Sequence, residues 1–292
     1  MKRFVGVLVP LCVIGGLLAG GWWLLNGASI DVLQPAGAVA EQQLALLYLT
    51  LFLSALVVVP VFTMLIVFAV KYRASNKAAR YEPEWSENRL LESLWWGIPI
   101  AIIGVLGVVT YQTSHSLDPY KPLASDQAPL EVEVVALRWK WLFLYPEYGV
   151  ATLNHLPVEV NRPIHFRLTA DAPMSAFWIP KLGSQIYAMN GMQSELNLVA
   201  NQPGSFTGYT TNINGEGYAD MTFQLKAFKT AEFSDWVAQA KQVTPQMDKP
   251  TYDTLVAPKS DTRERTYRLT EPGLFATIMR AQSGHASHGG SH

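Results

Sequence analysis

The stretch LALLYLTLFLSALVVVPVFTMLIVFAV (residues 44–70) and, after a polar interval, SLWWGIPIAIIGVLGVVTYQTSHSL (residues 93–117) contain no Asp, Glu, Lys or Arg. Each exceeds the roughly 20 apolar residues that a helix needs to cross about 30 Å of hydrocarbon. Two transmembrane helices are therefore predicted. Pro60 and Pro99 lie inside them, where neighbouring helices satisfy the freed carbonyls and a kink is expected. Upstream, residues 4–25 form another charge-free apolar run behind Lys2 and Arg3. Residues 1–27 thus read as a signal peptide, with Ala19 and Gly21 as small residues before a cleavage site, or as a first transmembrane helix. Cys12 follows Val9, Pro10 and Leu11, which is not the Leu-x-Gly-like triplet of a lipoprotein signal.

The placement of Lys and Arg sets the orientation, because cytoplasmic loops are enriched in them. Residues 71–92 carry Lys71, Arg73, Lys77, Arg80 and Arg89, whereas residues 26–43 carry none. This interval is read as a cytoplasmic hairpin, which sends everything after Leu117 outward. Trp22, Trp23, Trp85, Trp95 and Trp96 then fall near lipid–water boundaries, where indoles are enriched.

Composition agrees with a chain divided between two solvents. Of the 292 residues, 49% are hydrophobic and 15% charged, against about 25% charged in soluble domains. The mean hydropathy of +0.13 averages membrane spans with a polar remainder. With 22 Lys plus Arg against 23 Asp plus Glu, the net charge is -1, so no basic surface steers nucleic acid toward it. Cys12 is the only cysteine, which excludes an internal disulfide framework and a cysteine-based zinc or iron–sulfur site built from this chain alone.

Beyond Leu117 short alternating runs replace the apolar stretches. Leu130, Val132, Val134 and Ala136 alternate with Glu131, Glu133 and Val135; Ile164, Phe166 and Leu168 alternate with His165, Arg167 and Thr169; Met221, Phe223, Leu225 and Ala227 repeat the pattern. Period-2 runs bounded by turn residues such as Pro146, Gly149, Pro163, Pro173, Pro203 and Gly215 predict a β-sandwich over residues 129–230. After Thr230 the period becomes helical: Phe233, Trp236, Val237 and Ala240 share one face, and a second helix is expected from Leu274 to Ala281. Residues 231–282 are read as a helical extension, and residues 283–292 as a disordered His-rich tail.

Membrane helices joined by a basic hairpin, followed by an outward sandwich, resemble subunit II of the haem–copper respiratory oxidases. KYRASNKAARYEPEWSEN, EVVALRWKWLFLYPE and FWIPKLGSQIYAMNGM are similar to the cytochrome bo-type ubiquinol oxidase branch, and the resemblance covers nearly the whole chain. It implies a cupredoxin-like sandwich. In the cytochrome c oxidase branch that sandwich holds a binuclear copper centre, ligated by an early His and a later Cys-x-Glu-x-Cys-x-x-x-His-x-x-Met. Thiolates, imidazole and thioether suit copper. Here the first His position is Ser175, the cysteine positions are Thr210 and Asn214, the Glu position is Asn212, the second His position is Tyr218, and only Met221 is retained. The resemblance therefore implies a sandwich that keeps the fold and binds no copper.

In copper-containing relatives the aromatic pair of the Arg138-Trp139-Lys140-Trp141 stretch lies at the contact with subunit I. We expect the two tryptophans to act there as aromatic anchors and the two cations to pair with acidic groups or haem propionates of subunit I. His115, His155 and His165 show no metal-helix spacing, Gly-Ser-Gln at 183–185 is no nucleophile elbow, and the Gly215-Glu216-Gly217 stretch precedes no phosphate-binding helix. No catalytic residue and no cofactor are expected in this chain. The resemblance implies a bacterial inner-membrane protein with its C-terminal domain in the periplasm, a non-catalytic subunit of a proton-translocating ubiquinol oxidase. Its partners would be subunit I, holding the haems and copper, the smaller subunits, lipid, and ubiquinol as substrate of the complex. The alternatives are a cytochrome c oxidase subunit II, which the missing thiolates oppose, and a membrane-anchored periplasmic module that binds a metal or a partner.

Overall fold

The computed structural model describes residues 15–16, 19–23, 30–79, 82–84 and 87–286. Most of the expected leader or first span, Cys12, Arg80, Trp85 and tail residues 287–292 lie outside the described residues; residues 15–16 and 19–23 are helical. The chain divides into two units, one formed by Ala45–Ser116 with the residues before Asp31, the other by Asp31–Leu44 together with everything from Leu117.

Helix α1 (Ala38–Lys71), which belongs to the first unit from Ala45 onward, contains Pro60, and helix α2 (Arg89–Ser116) of the same unit contains Pro99. Their 34 and 28 residues correspond to about 50 and 40 Å at about 1.5 Å per residue, more than a hydrocarbon core requires. Side chains such as Phe52, Phe62, Leu65 and Ile103 are more than half exposed within the chain, as befits a surface whose solvent is lipid. Both helices begin earlier than the apolar runs predict. Asn88 starts α2 by accepting from the N–H groups of Leu90 and Leu91, each at 3.1 Å, which satisfies two free donors of the first turn. The polar first turns of α1, up to Leu44, belong to the second unit and are held within it by hydrogen bonds. Ala40 N–H donates to Leu182 O at 3.1 Å, and the Gln43 amide donates to Ser184 Oγ at 3.1 Å. Gly37 and Gly183 leave room for that approach: a Cβ at Gly37 would sit 2.4 Å from Val199 O, and one at Gly183 2.7 Å from Val39 Cγ1.

The second unit is a sandwich of two mixed sheets. Its strands are β1 (Leu130–Leu137), β2 (Lys140–Tyr145), β3 (Val150–Leu153), β4 (His155–Glu159), β5 (Ile164–Ala170), β6 (Ser175–Ile179), β7 (Gly183–Ala188), β8 (Ser194–Leu198), β9 (Gly204–Thr210), β10 (Thr222–Phe228), β11 (Gln246–Met247) and β12 (Arg265–Leu269). One sheet has the order β11-β12-β3-β2-β1-β5-β8, the other β4-β10-β9-β6-β7, with β1 parallel to β5 and β4 parallel to β10. Between them Trp141, Phe143, Phe166, Phe177 and Phe223 are fully or almost fully buried. Phe177 stacks on Phe223 with centroids 5.1 Å apart, and Trp141 meets Phe177 edge-on at 5.2 Å. Aromatic pairs of this kind add about 0.5–1.5 kcal/mol beyond area burial.

Two expectations are corrected here. The segment after residue 230 is not wholly helical: between α3 (Thr230–Ala240), α4 (Lys249–Val256) and α5 (Leu274–Ala286) it supplies β11 and β12. β12 pairs antiparallel with β3, so the extension continues the sandwich's own sheet. Both faces of β1 are buried. Val135, Leu137, Leu142 and Leu144 turn away from the inner core and are buried by Tyr252, Leu255, Tyr267, Leu274, Phe275 and Ile278 of the extension. Of the expected His-rich tail, residues 283–286 continue α5 as helix.

Candidate functional site

The positions that the resemblance matches to copper ligands converge at one end of the sandwich. Ser175 opens β6, Thr210 closes β9, Asn212 and Asn214 lie in the following loop, and Met221 precedes β10. The Asn214 amide donates to Ser175 Oγ at 2.8 Å and to Met221 Sδ at 3.4 Å. Ser175 Oγ in turn donates to Pro173 O at 3.1 Å. Asn212 is a hinge between strands: its Oδ1 accepts from Ala176 N–H at 2.6 Å and from Thr210 Oγ1 at 3.2 Å, and its Nδ2 donates to Met174 O at 2.6 Å. Tyr218 contributes through its backbone, accepting from Met221 N–H at 3.1 Å, and no hydrogen bond ties its side chain to this set among the described residues.

This donor set does not fit a copper centre. Hydroxyls and carboxamides are neutral, they bond one another across the position that thiolates and imidazoles would need, and a single thioether is a weak ligand. Among the described residues no group of three or more His, Cys, Asp or Glu side chains is placed to hold a metal ion.

The Arg138–Trp141 stretch separates into four different environments. Arg138 and Trp139 form the tight turn between β1 and β2, with Trp139 at φ 60°, a left-handed conformation that a bulky side chain adopts only where surroundings fix it. What fixes it is the loop after β9: the indole lies against Gly215 and Gly217, where a Cβ would approach ring atoms to 2.9 and 2.6 Å. Glycines there permit the close approach. Trp141 is fully buried in the inner core, since the alternation of β2 turns it, Phe143 and Tyr145 inward. Lys140 is 3% exposed, and its ammonium donates to Ala257 O at 3.1 Å and Lys259 O at 2.9 Å; burial pulls its pKa below the usual lysine range. The expectation that Trp141 and Lys140 face subunit I is therefore corrected, because neither has surface to offer. Their neighbour Asn154 accepts from Trp141 N–H at 2.9 Å and donates to Asp261 O, so the same pair of strands holds the 257–261 segment.

Arg138 alone of the four is exposed. Its side chain lines a cavity of about 540 Å³ together with Asp171, Met174, Asn190, Val256 and Gln282. Asp171 accepts from Tyr252 OH at 2.5 Å and from the Gln282 amide; burial and the neighbouring carboxylate push the Tyr252 phenol far above its ordinary pKa, so it stays a donor. His115, His155 and His165 each bond to a different set of groups. His115 Nδ1 is 2.8 Å from Tyr111 O, His155 lies 3.1 Å from both Leu153 O and Thr266 Oγ1, and His165 Nδ1 is 2.9 Å from Glu131. Sequence reasoning missed the cavity, because Asp171, Tyr252 and Gln282 are far apart in the chain. The Gly215-Glu216-Gly217 pair held a signal for the Trp139 contact, as glycines spaced by one residue often mark close approach.

Two helices of membrane-spanning length followed by a cupredoxin-like sandwich define a class: oxidase subunit II. No protein-family model matches the chain. The cytochrome bo(3) ubiquinol oxidase subunit 2 of Pseudomonas putida is 45% identical over 90% of this chain and 84% of its own length. The ubiquinol oxidase subunit 2 of Acetobacter aceti is 45% identical over 94% of this chain and 89% of its own, and the quinol oxidase subunit 2 of Bacillus subtilis 37% identical over 87% and 79%. Among solved structures, the periplasmic domain of subunit II of cytochrome oxidase of Bradyrhizobium japonicum matches 41% of this chain and 98% of that chain, at 25% identity and a TM-score of 0.39. The chain belongs to the subunit 2 family of cytochrome bo(3)-type ubiquinol oxidases.

Proposed function

We propose that this chain is the non-catalytic second subunit of a proton-translocating ubiquinol oxidase in a bacterial inner membrane, with its sandwich on the periplasmic face. The single observation that carries this reading is the Asn214 amide donating to both Ser175 and Met221 where a copper relay would require thiolates and imidazoles. A subunit with no relay suits a lipid-soluble electron donor, which reaches the redox centres through the membrane. The haems and the copper of the oxygen site belong to subunit I in this reading. Ubiquinol oxidation there reduces oxygen to water and stores redox free energy as a membrane potential. This chain contributes α1 and α2 as packing helices, the sandwich as a cover, and Arg138 and Trp139 at the contact with subunit I. The basic residues of the hairpin, Lys71, Arg73 and Lys77, support its cytoplasmic placement.

The test is oxygen uptake by the detergent-purified protein with its attached partners, using ubiquinol and reduced cytochrome c in parallel. Co-purified haem with uptake on ubiquinol alone is expected. Uptake on reduced cytochrome c contradicts the reading, and a stable, solitary, haem-free chain points instead to a membrane-anchored binding module.

A further inference from the structure

The C-terminal end of α1 gathers positive charge that is left without carboxylate partners. Residues 71–80 contain Lys71, Arg73, Lys77 and Arg80 and no carboxylate, and the acidic residues of the hairpin, Glu82, Glu84 and Glu87, all follow. Cations of the sandwich such as Arg162, Lys226 and Arg265 are paired with carboxylates. Lys71, Arg73 and Lys77, by contrast, are exposed, and no ion pair engages any of them among the described residues. Turns hold all three near the helix end: Tyr72 N–H donates to Phe68 O at 2.9 Å, the Asn76 amide to Lys71 O at 2.5 Å, and Asn76 N–H to Arg73 O at 2.9 Å. Compensation of the helix dipole asks for less, since a helix C-terminus carries only about half a negative charge. Most of the positive charge therefore remains to be answered from outside the chain.

What lies beneath these cations fixes the kind of anion. Val61, Leu65, Phe68 and Tyr72 recur at three- and four-residue steps and so line one face of α1, and each is more than half exposed within the chain. The Phe68 and Tyr72 rings lie 6.2 Å apart, and the Lys71 ammonium stands 5.3 Å from the centre of the Tyr72 ring. Apolar stripe, phenol and ammonium succeed one another along the helix, in the order of hydrocarbon, interface and headgroup in a bilayer. A soluble anion makes no contact with the stripe, whereas a phospholipid brings an acyl chain to it and a phosphodiester to the cations.

We propose that this end of α1 binds an anionic phospholipid, with its phosphodiester held by Lys71, Arg73 and Lys77 and an acyl chain lying along Phe68, Leu65 and Val61. The proposal rests on the reading of α1 as a membrane span with the hairpin on the cytoplasmic side. Lys and Arg next to a membrane helix strengthen the capture of anionic headgroups about fivefold per cation.

The experiment uses the whole complex in detergent, supplied with phosphatidylglycerol or phosphatidylcholine, and counts bound lipid by native mass spectrometry. Wild type is expected to retain phosphatidylglycerol in preference to phosphatidylcholine, and the Arg73→Gln, Lys77→Gln double variant to bind it about tenfold or more weakly. The charge-keeping Arg73→Lys, Lys77→Arg pair is expected to bind as wild type does, because the headgroup answers to net charge. A photoreactive residue at Ser75, between the cations, is expected to cross-link to lipid. Equal retention of the two lipids by wild type, unchanged affinity in the neutralised variant, or lost affinity in the charge-keeping pair overturns the proposal. So does release of the lipid by inorganic phosphate at matched ionic strength, or a cross-link from Ser75 to a protein subunit in place of lipid. Haem retained by the neutralised variant separates lost lipid from lost insertion or assembly, and Lys77→Gln alone, expected about fivefold weaker, serves where the double variant does not assemble. A wild-type chain without a haem-bearing partner fails the functional reading, while the same lipid count on the solitary chain still tests this one.

Discussion

Both faces of the seven-stranded sheet are buried, but by unlike partners. The inner face meets the five-stranded sheet through Trp141, Phe143, Phe166, Phe177 and Phe223, whose rings meet edge-on, tilted or stacked. The outer face meets the extension through Leu137, Leu142, Leu144, Tyr252 and Phe275, with a buried ammonium and the Asp171 cluster at its border. Adjacent residues of β2 take part in different cores: Trp141 points inward, Lys140 outward to the 257–259 carbonyls. The inner core makes the domain, and the outer one fixes the extension that shapes the Arg138 cavity.

Trp141→Ala breaks the inner core and should have the largest effect, a loss of about 3–5 kcal/mol by denaturant unfolding of the full chain in detergent. A loss confined to assembly, with the unfolding midpoint unchanged, would return Trp141 to an interface. Lys140→Met keeps the outward stem and removes two charge-assisted bonds. It should cost about 1–3 kcal/mol and raise hydrogen exchange over residues 257–261 while β1 and β5 stay protected. Equal exchange in all three segments would mean that the two cores are one cooperative unit.

Met221→Leu is milder. The side chain is fully buried and accepts one weak bond from Asn214, so a similar-volume exchange should cost under about 1.5 kcal/mol and leave haem content and turnover as in wild type. A fall in turnover at constant stability would give Met221 a redox role. The smallest effect is pH-dependent. Burial lowers the pKa of His155 in the fold, so the unfolded chain binds the proton first. Stability should fall as pH drops through about 6.5, the ordinary histidine value, and level off once the folded group also protonates. His155→Gln should flatten that window in an unfolding-versus-pH series.

Legibility followed the same division. The inner core was readable because Leu130, Val132, Val134 and Ala136 alternate and because EVVALRWKWLFLYPE resembles a known family. The outer core was not. The strands by which the extension joins the sheet are two residues at Gln246–Met247 and the charged run Arg265–Leu269, which carry no period-2 signal. The family spacing names Ser175, Thr210, Asn212, Asn214 and Met221 one by one, yet the bonds of Asn214 to Ser175 and of Asn212 to Ala176 become visible only when the strand ends meet in space. The roles of Trp141 and Lys140 were misassigned because a motif names residue types and not the face to which each turns.

The most direct test of the central claim, that this chain keeps the cupredoxin-like fold without its copper chemistry, is copper analysis of the intact complex followed by the same analysis of the separated chain. The account predicts copper that stays with the haem-bearing fraction and none that follows this chain. Stoichiometric copper travelling with the sandwich would contradict it.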